Sequence, residues 1–491
     1  METGKTKKGE TVKIYPVFSL FILVCGLWWI PSQDTAHAMM SIEEERNLRE
    51  ELLQMVKSQV SLVGDPEIVG YVSDMGQKAL RQVEAKFFDY QFYVIKDEGI
   101  NAFAMPGGLV FVHSGLLEVI DTEDELFCVL AHEIGHVQGR HIARRMDRMT
   151  KVNIATAAMA VAGLFLGSGE ASSALLATSG ALNASIALKY SREDEEEADR
   201  RAYQWICEAG YDPRGLISIL KKMQRYRWLG TDAIPSYLST HPASSQRMVY
   251  LEDLWQEEPC TRTSLTDHYR LQRIQVKVRL MTQDPLVLVK RYRREVDATP
   301  GDMFLQYGLA QSLLAARDYD EAIKAFNTLV AQTPDKPEFL VDLGEAYFAA
   351  GRYKEAIGVL ETFERDHPGD RAADYYLAMA FLESGSPDKA LPLLKSLERG
   401  WPDQAAIFLQ TGRCLAALQR TGEAHYYFFL HYRDTGSIET ADYHRTKAMA
   451  LLPRDGKIYE ELKRGNDEWE KDARKRNAHG NRNRLGETRV R

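Results

Sequence analysis

Apolar and polar positions along this chain fall into three regimes. The first is an apolar stretch over residues 17–30, preceded by Lys5, Lys7, Lys8 and Lys13 and followed by Ala36-His37-Ala38. A basic start, a short apolar run and a small-x-small site predict a Sec-type signal peptide over residues 1–38, cut after Ala38, and hence export. The second regime, residues 39–262, mixes periods. A charged amphipathic helix opens at Met40, and another is expected from Asp65 to about Glu84. Tyr90-Gln91-Phe92-Tyr93-Val94-Ile95 reads as a strand, and Ala102–Ala104 and Leu109–Val112 flank Pro106-Gly107-Gly108 as a hairpin. The run Leu126-Phe127-Cys128-Val129-Leu130 follows a capping box of Thr122 and Glu125, which places a buried helix there. Val152–Leu166 and Ala171–Leu188 are apolar but interrupted by Gly167-Ser168-Gly169-Glu170, and each is short of the roughly 20 residues of a membrane span. They read first as a helical hairpin packed on the domain. The alternatives are a lid over a cleft or, through residues 152–188, a surface making peripheral membrane contact.

The third regime is a repeat. Ala322, Ala356, Ala390 and Ala424 stand 34 residues apart, as do Pro334, Pro368 and Pro402. Phe326, Leu360, Leu394 and Phe428 follow each alanine by four, and Leu309-Ala310, Leu343-Gly344, Leu377-Ala378 and Thr411-Gly412 precede in the same register. This is the pattern of tetratricopeptide repeats, helix pairs whose small positions allow close packing. At least four repeats are expected over residues 303–436, with flanking helices extending the array to 263–472. Residues 473–491 carry seven basic residues and one acidic, a tail expected to be disordered.

Composition changes this picture little. The 491 residues are 45% hydrophobic and 27% charged, ordinary for globular protein, and a net charge of −8 gives no reason to expect nucleic-acid binding. Beyond residue 38 the cysteines are Cys128, Cys207, Cys260 and Cys414, too few for a disulfide scaffold. Cys128 is expected as a buried thiol, and pairing among the other three is left open.

The chemistry starts at His132-Glu133-Ile134-Gly135-His136. Four residues apart on a helix, the two imidazoles share a face and can direct nitrogens to one Zn²⁺ at about 2.0–2.1 Å, with Glu133 placed as general base. A catalytic site needs a third protein ligand. His141 is discarded, because on a continued helix it points away from His136, and it is read as a surface or supporting residue. In Ser191–Asp199 one stripe separates from the acidic remainder: Glu195, Ala198, Asp199, Ala202, Trp205 and Ile206 share a face that is otherwise apolar. A carboxylate heading a buried stripe needs a partner or a metal, so Glu195 is the expected third ligand of one zinc per chain. Asp199, one turn on, is placed to accept from a ligating imidazole.

These residues resemble the zinc peptidase family that includes the CAAX prenyl proteases and the Oma and HtpX quality-control proteases. The resemblance rests on His132–His136 and on Tyr190-Ser191-Arg192 with Glu195–Asp199, and covers about residues 40–260. It implies Glu195 as third ligand. It likens Asn101, Ala102, Phe103 and Ala104 to a strand beside the zinc helix, an edge on which substrate backbone is expected to bind by strand addition. It also places His241, in Thr240-His241-Pro242, near the metal with Arg247. There His241 would either stabilise an oxyanion, with Arg247 assisting, or occupy the open zinc position and keep the enzyme latent.

The expectation is therefore a mostly α protein: a zincin-type metalloprotease domain of helices with a small β-sheet, then an α-solenoid of tetratricopeptide repeats. With the repeats, the resemblance narrows to the periplasmic BepA-like branch. It implies a periplasmic endopeptidase with polypeptide substrates among misfolded or stalled outer-membrane proteins, and with their assembly machinery as partner through the repeats. The rival reading is a chaperone or assembly adaptor in which the repeats act and proteolysis is latent or minor.

Overall fold

A computed structural model describes residues 40–148, 189–228, 236–242, 244–260, 268–398 and 404–464. The expected signal peptide, the paired apolar segments 152–188 and the basic tail lie outside these residues. Ser41 caps α1 (Ile42–Gln59) in a full capping box with Glu44, and Asp65 caps α2 (Pro66–Leu80), whose first residue is proline. Strands β1 (Gln91–Ile95), β2 (Ala102–Met105) and β3 (Leu109–His113) follow. β3 is central, antiparallel to β2 and parallel to β1, and Gly107 and Gly108 turn the hairpin with φ of 83° and 88°.

The period of two along each strand divides the N-terminal part into two apolar clusters. Val110, Val112, Ala102 and Ala104 join α2 and the helix that bears the histidines. Leu109, Phe111, Phe103 and Met105 face Leu48, Leu52 and Val56 of α1. The sheet is therefore buried on both sides, and it supports one side of the next helices.

After α3 (Ser114–Val119) comes α4 (Glu123–Gln138), every residue of which is buried. The Thr122 hydroxyl caps α4 by accepting from the Glu125 amide, but the reciprocal half of the expected box is absent. The Glu125 carboxylate instead accepts from the Asp121 amide, Ser218 and the buried Lys222. A short α5 (His141–Arg148) precedes α6 (Arg192–Glu208), α7 (Arg214–Trp228), α8 (Ser236–Thr240) and α9 (Ser245–Glu257). α6 lies against α4 so closely that a Cβ on Gly135 would stand 2.9 Å from the Ala198 carbonyl oxygen. A disulfide joins Cys207 at the end of α6 to Cys260 beyond α9, whereas Cys128 and Cys414 are buried free thiols.

Six helical hairpins follow among the described residues: α10 (His268–Thr282) with α11 (Pro285–Ala298), α12 (Met303–Ala315) with α13 (Tyr319–Gln332), α14 (Glu338–Ala349) with α15 (Tyr353–Asp366), α16 (Arg371–Glu383) with α17 (Pro387–Leu397), α18 (Gln404–Ala417) with α19 (Thr421–Asp434), and α20 (Ile438–Leu451) with α21 (Lys457–Arg464). Ala322, Ala356, Ala390 and Ala424 are buried. The small-to-large pairing is direct, since a Cβ on Gly344 would meet Leu360 at 2.5 Å and one on Gly412 would meet Phe428 at 2.6 Å.

α10 belongs to both parts. Leu271, Ile274 and Val278 complete the N-terminal core, while Val276 packs with Tyr307, Phe326 and Phe339 of the repeats. On the same helix Arg273 pairs with Glu67 of α2 at 2.6 Å and with Asp342 of α14 at 2.9 Å, and Lys277 reaches Glu67 at 2.9 Å.

Candidate metal centre

Helix geometry brings His132 and His136 onto one face of α4, and their Nε2 atoms stand 3.0 Å apart. Glu195, one turn into α6, directs its carboxylate at both, with oxygens 3.6 Å and 3.4 Å from the two Nε2 atoms. His241, just past α8, adds Nδ1 at 2.9 Å from Glu195 and 3.3 Å from His132 Nε2. One ligand atom from each of these four buried residues lies within 4.8 Å of the others.

The outer nitrogens of the imidazoles are engaged elsewhere, which turns the inner lone pairs to a common centre. His132 Nδ1 is 2.9 Å from Asp199. His136 Nδ1 is 2.7 Å from His141 Nδ1, and His141 Nε2 is 3.3 Å from Glu197. His141 is fully buried, which corrects the surface alternative. α4 does not continue as one helix: Gly139 ends it, and Arg140 at a φ of 51° reverses the chain so that His141 folds back onto His136.

Arg247, at the first turn of α9, holds the carboxylates. Its Nε and Nη2 donate to Asp199 at 2.8 Å and 2.7 Å, and Nη1 pairs with Glu195. The guanidinium therefore faces these two acids instead of joining His241 at an oxyanion position. Burial would raise the Glu195 carboxyl, but Arg247 and His241 outweigh it and hold it well below the usual range. Burial likewise opposes Asp199, and Arg247 with His132 again prevails. The reverse holds for Glu133. Burial raises its carboxyl above the usual range, and both its oxygens are buried without a hydrogen-bond donor among the described residues. Burial pushes His136 well below its ordinary value, so its Nε2 is a neutral donor. Burial also opposes charge on His241, but Glu133 and Glu195 raise it overall.

Two aromatic residues complete the site. Tyr190 stacks on His136 with centroids 3.7 Å apart, and Tyr237 stacks on His241 at 4.4 Å. Tyr237 has a sequence signal in retrospect, because it lies four residues before His241 on a helical turn. Asn101 to Ala104 lie on or beside the edge strand β2, but their side chains are buried, and Phe103 stacks on Phe111 at 5.0 Å.

Two imidazoles on one helix face, a charge-compensated carboxylate and a buried glutamate beside them fit a zinc ion and a general base. His241 adds a third nitrogen, as a fourth ligand, where a catalytic site keeps a position open.

Residues 67–254 match the model for peptidase family M48, and residues 307–371, 355–405 and 375–433 match the tetratricopeptide repeat. The M48 metalloproteases are zinc-dependent, in accord with the donor set. Among curated proteins, the chain is 27% identical over 319 residues to a beta-barrel assembly-enhancing protease of Yersinia pestis, covering 62% of this chain and 65% of that protein. It is 27% identical over 322 residues to the Escherichia coli strain K12 beta-barrel assembly-enhancing protease, covering 62% and 63%. Over 199 residues it is 32% identical to the mitochondrial metalloendopeptidase OMA1 of Schizosaccharomyces pombe, covering 40% and 56%. The chain thus matches a little under two thirds of the length of the two bacterial relatives.

Proposed function

From a chain that joins a peptidase family M48 domain to tetratricopeptide repeats, we propose an exported, periplasmic zinc endopeptidase of envelope protein quality control that is latent in the form described here. The observation that carries this reading is the buried group of His132, His136, Glu195 and His241 with Glu133 beside it. His132, His136 and Glu195 would hold the ion, which supplies Lewis acidity when bound. Glu133, raised by burial and free of hydrogen-bond donors, takes a proton from the attacking water and returns it to the leaving amine. Asp199 orients His132, and Arg247 keeps Asp199 and Glu195 ionised and in place.

His241 is the latch in this proposal. Its ring lies between Glu133, 3.5 Å from Nε2, and Glu195, 2.9 Å from Nδ1, in space that water and substrate need. This favours the latent role over oxyanion stabilisation. The likeness to two bacterial beta-barrel assembly-enhancing proteases supports substrates among outer-membrane β-barrel proteins and partners in their assembly, reached through the repeats. Exposed edges of unfolded β-strands suit capture beside β2 by strand addition. Among the described residues no helix is long and apolar enough to cross a membrane.

The test is metal content of the purified chain beside casein cleavage. One zinc per chain, weak cleavage by wild type, stronger cleavage by His241→Ala and none by Glu133→Gln are expected. Zinc with no cleavage by wild type or His241→Ala would favour the adaptor reading, and a chain that takes up no zinc would overturn the hydrolase.

A further inference from the structure

We propose that the cavity between the first turns of α6 and α9 is a specificity subsite, seating a large apolar side chain of the substrate next to the bond that is cut. The inference rests on the protease reading above and adds what the site selects.

The cavity has a volume of about 430 Å³, in the range of sites that enclose a small molecule, and here enough for one large side chain. It shares walls with the candidate metal centre. Glu195 is both a candidate ligand and a lining residue, and the Tyr190 ring that stacks on His136 also forms part of the wall. A peptide whose carbonyl lies at the donor set therefore has a neighbouring side chain within reach of the opening.

The wall chemistry favours an apolar side chain over a basic one. The exposed wall is mostly carbon, with Tyr190, Tyr250 and Pro242 contributing. The acids along it already have counter-ions, since Arg247 holds Glu195 and Asp199, and Arg200 pairs with Glu196 at 3.1 Å. The flanking helix starts are capped by Ser191 on α6 and Ser244 on α9, whose hydroxyls accept from the amides of Asp194 and Arg247. A basic side chain entering would lose hydration while the acids along the wall keep their own partners, whereas a Phe, Tyr, Leu or Met side chain would gain burial. Arg192 donates to Gln246 at 3.2 Å, a hydrogen bond that links α6 to α9 at the lining of the cavity. Gln246 is exposed, which makes it a position where the cavity can be altered.

The experiment maps cleavage sites in unfolded casein by mass spectrometry, using the zinc-loaded full chain and the same chain carrying His241→Ala. Large apolar residues should be favoured over Ala and Lys at one position flanking the cut by roughly 10- to 100-fold. Gln246→Trp, which fills the cavity, should flatten that preference while zinc content is kept. Tyr250→Ala, which enlarges it, should shift the preference toward Trp and serves if Gln246→Trp does not fold. Cleavage without enrichment at either flanking position overturns the subsite and leaves the protease standing. So does a preference that neither variant alters. Absence of cleavage by both parent chains overturns the protease reading and the subsite with it.

Discussion

Arg247 carries three contacts to two buried acids, and the centre depends on it more than on any other residue outside the donor set. Removing one partner of a buried ion pair leaves an uncompensated charge, at a cost of about 3–5 kcal/mol. Arg247→Met is expected to lower the stability of the metal-free chain by about that amount and to weaken zinc binding, read by chemical denaturation and by zinc titration. Arg247→Lys should recover little, because an ammonium cannot reproduce a forked contact to Asp199 together with a third nitrogen on Glu195. At this scale the sequence was legible where periodicity speaks. Helical spacing singles out His132, His136, Glu195 and Asp199 in the sequence, and α4 and α6 direct them to one centre. His141 supports His136, one of its two expected roles, but from a direction that helical periodicity does not give, because the backbone reverses at Arg140. For Arg247 the resemblance implies a role assisting His241, and only the packing of α9 against α6 shows that it faces carboxylates.

Among elements, the approach of α4 to α6 governs how well the third carboxylate reaches the histidines. A methyl at Gly135 would meet the Ala198 carbonyl oxygen at 2.9 Å and its Cα at 3.1 Å, and backbone on both sides leaves little to give. Gly135→Ala should move α6 outward, cost about 1–3 kcal/mol and weaken zinc binding without touching a ligand. Calorimetric zinc titration checks this, and an unchanged affinity would separate helix spacing from the metal site. The disulfide of Cys207 and Cys260 secures the other end of α6 to the chain beyond α9. It closes a sequence separation of 53 residues, for which the loop-entropy model gives roughly 4 kcal/mol. Cys207→Ser is accordingly expected to lower the melting temperature, and reductant should do the same to wild type but not to the variant. The pairing was not readable from sequence, because three cysteines allow three pairs and only their distances decide.

For the whole molecule the decisive junction is α10, where Arg273 and Lys277 face Asp65 and Glu67 from α2 and Asp342 and Glu345 from α14. Two cations facing four carboxylates leave Glu345 short of counter-charge. Burial raises it from its ordinary 4.5 to about 7, with Lys277 opposing and Asp65 adding to the rise. A carboxyl raised on folding binds its proton more tightly in the native state. Its contribution therefore falls as pH climbs from about 4.5 to about 7, and the full cost remains above that. Glu345→Gln should leave stability nearly unchanged at pH 5 and raise it at pH 8 by about 2 kcal/mol, seen as a higher melting temperature at the alkaline pH only.

The sequence by itself determined the elements and the chemistry carried by short spacings. A 34-residue period makes helix pairs whatever surrounds them, because each small position must meet a large one one helix away. A four-residue spacing puts two histidines on one helix face by the geometry of the backbone alone. Tertiary structure decided what lies far apart in sequence or depends on a single backbone reversal: the parallel pairing of β1 with β3, the disulfide, His141 behind His136, His241 between base and ligand, and Arg247 on two acids. It also decided that α10 serves both cores, so that residues expected to begin the repeat array complete the fold before it. The physical reason is common to all of these. Local interactions repeat with the chain, whereas burial and charge compensation are settled only when distant segments compete for the same space.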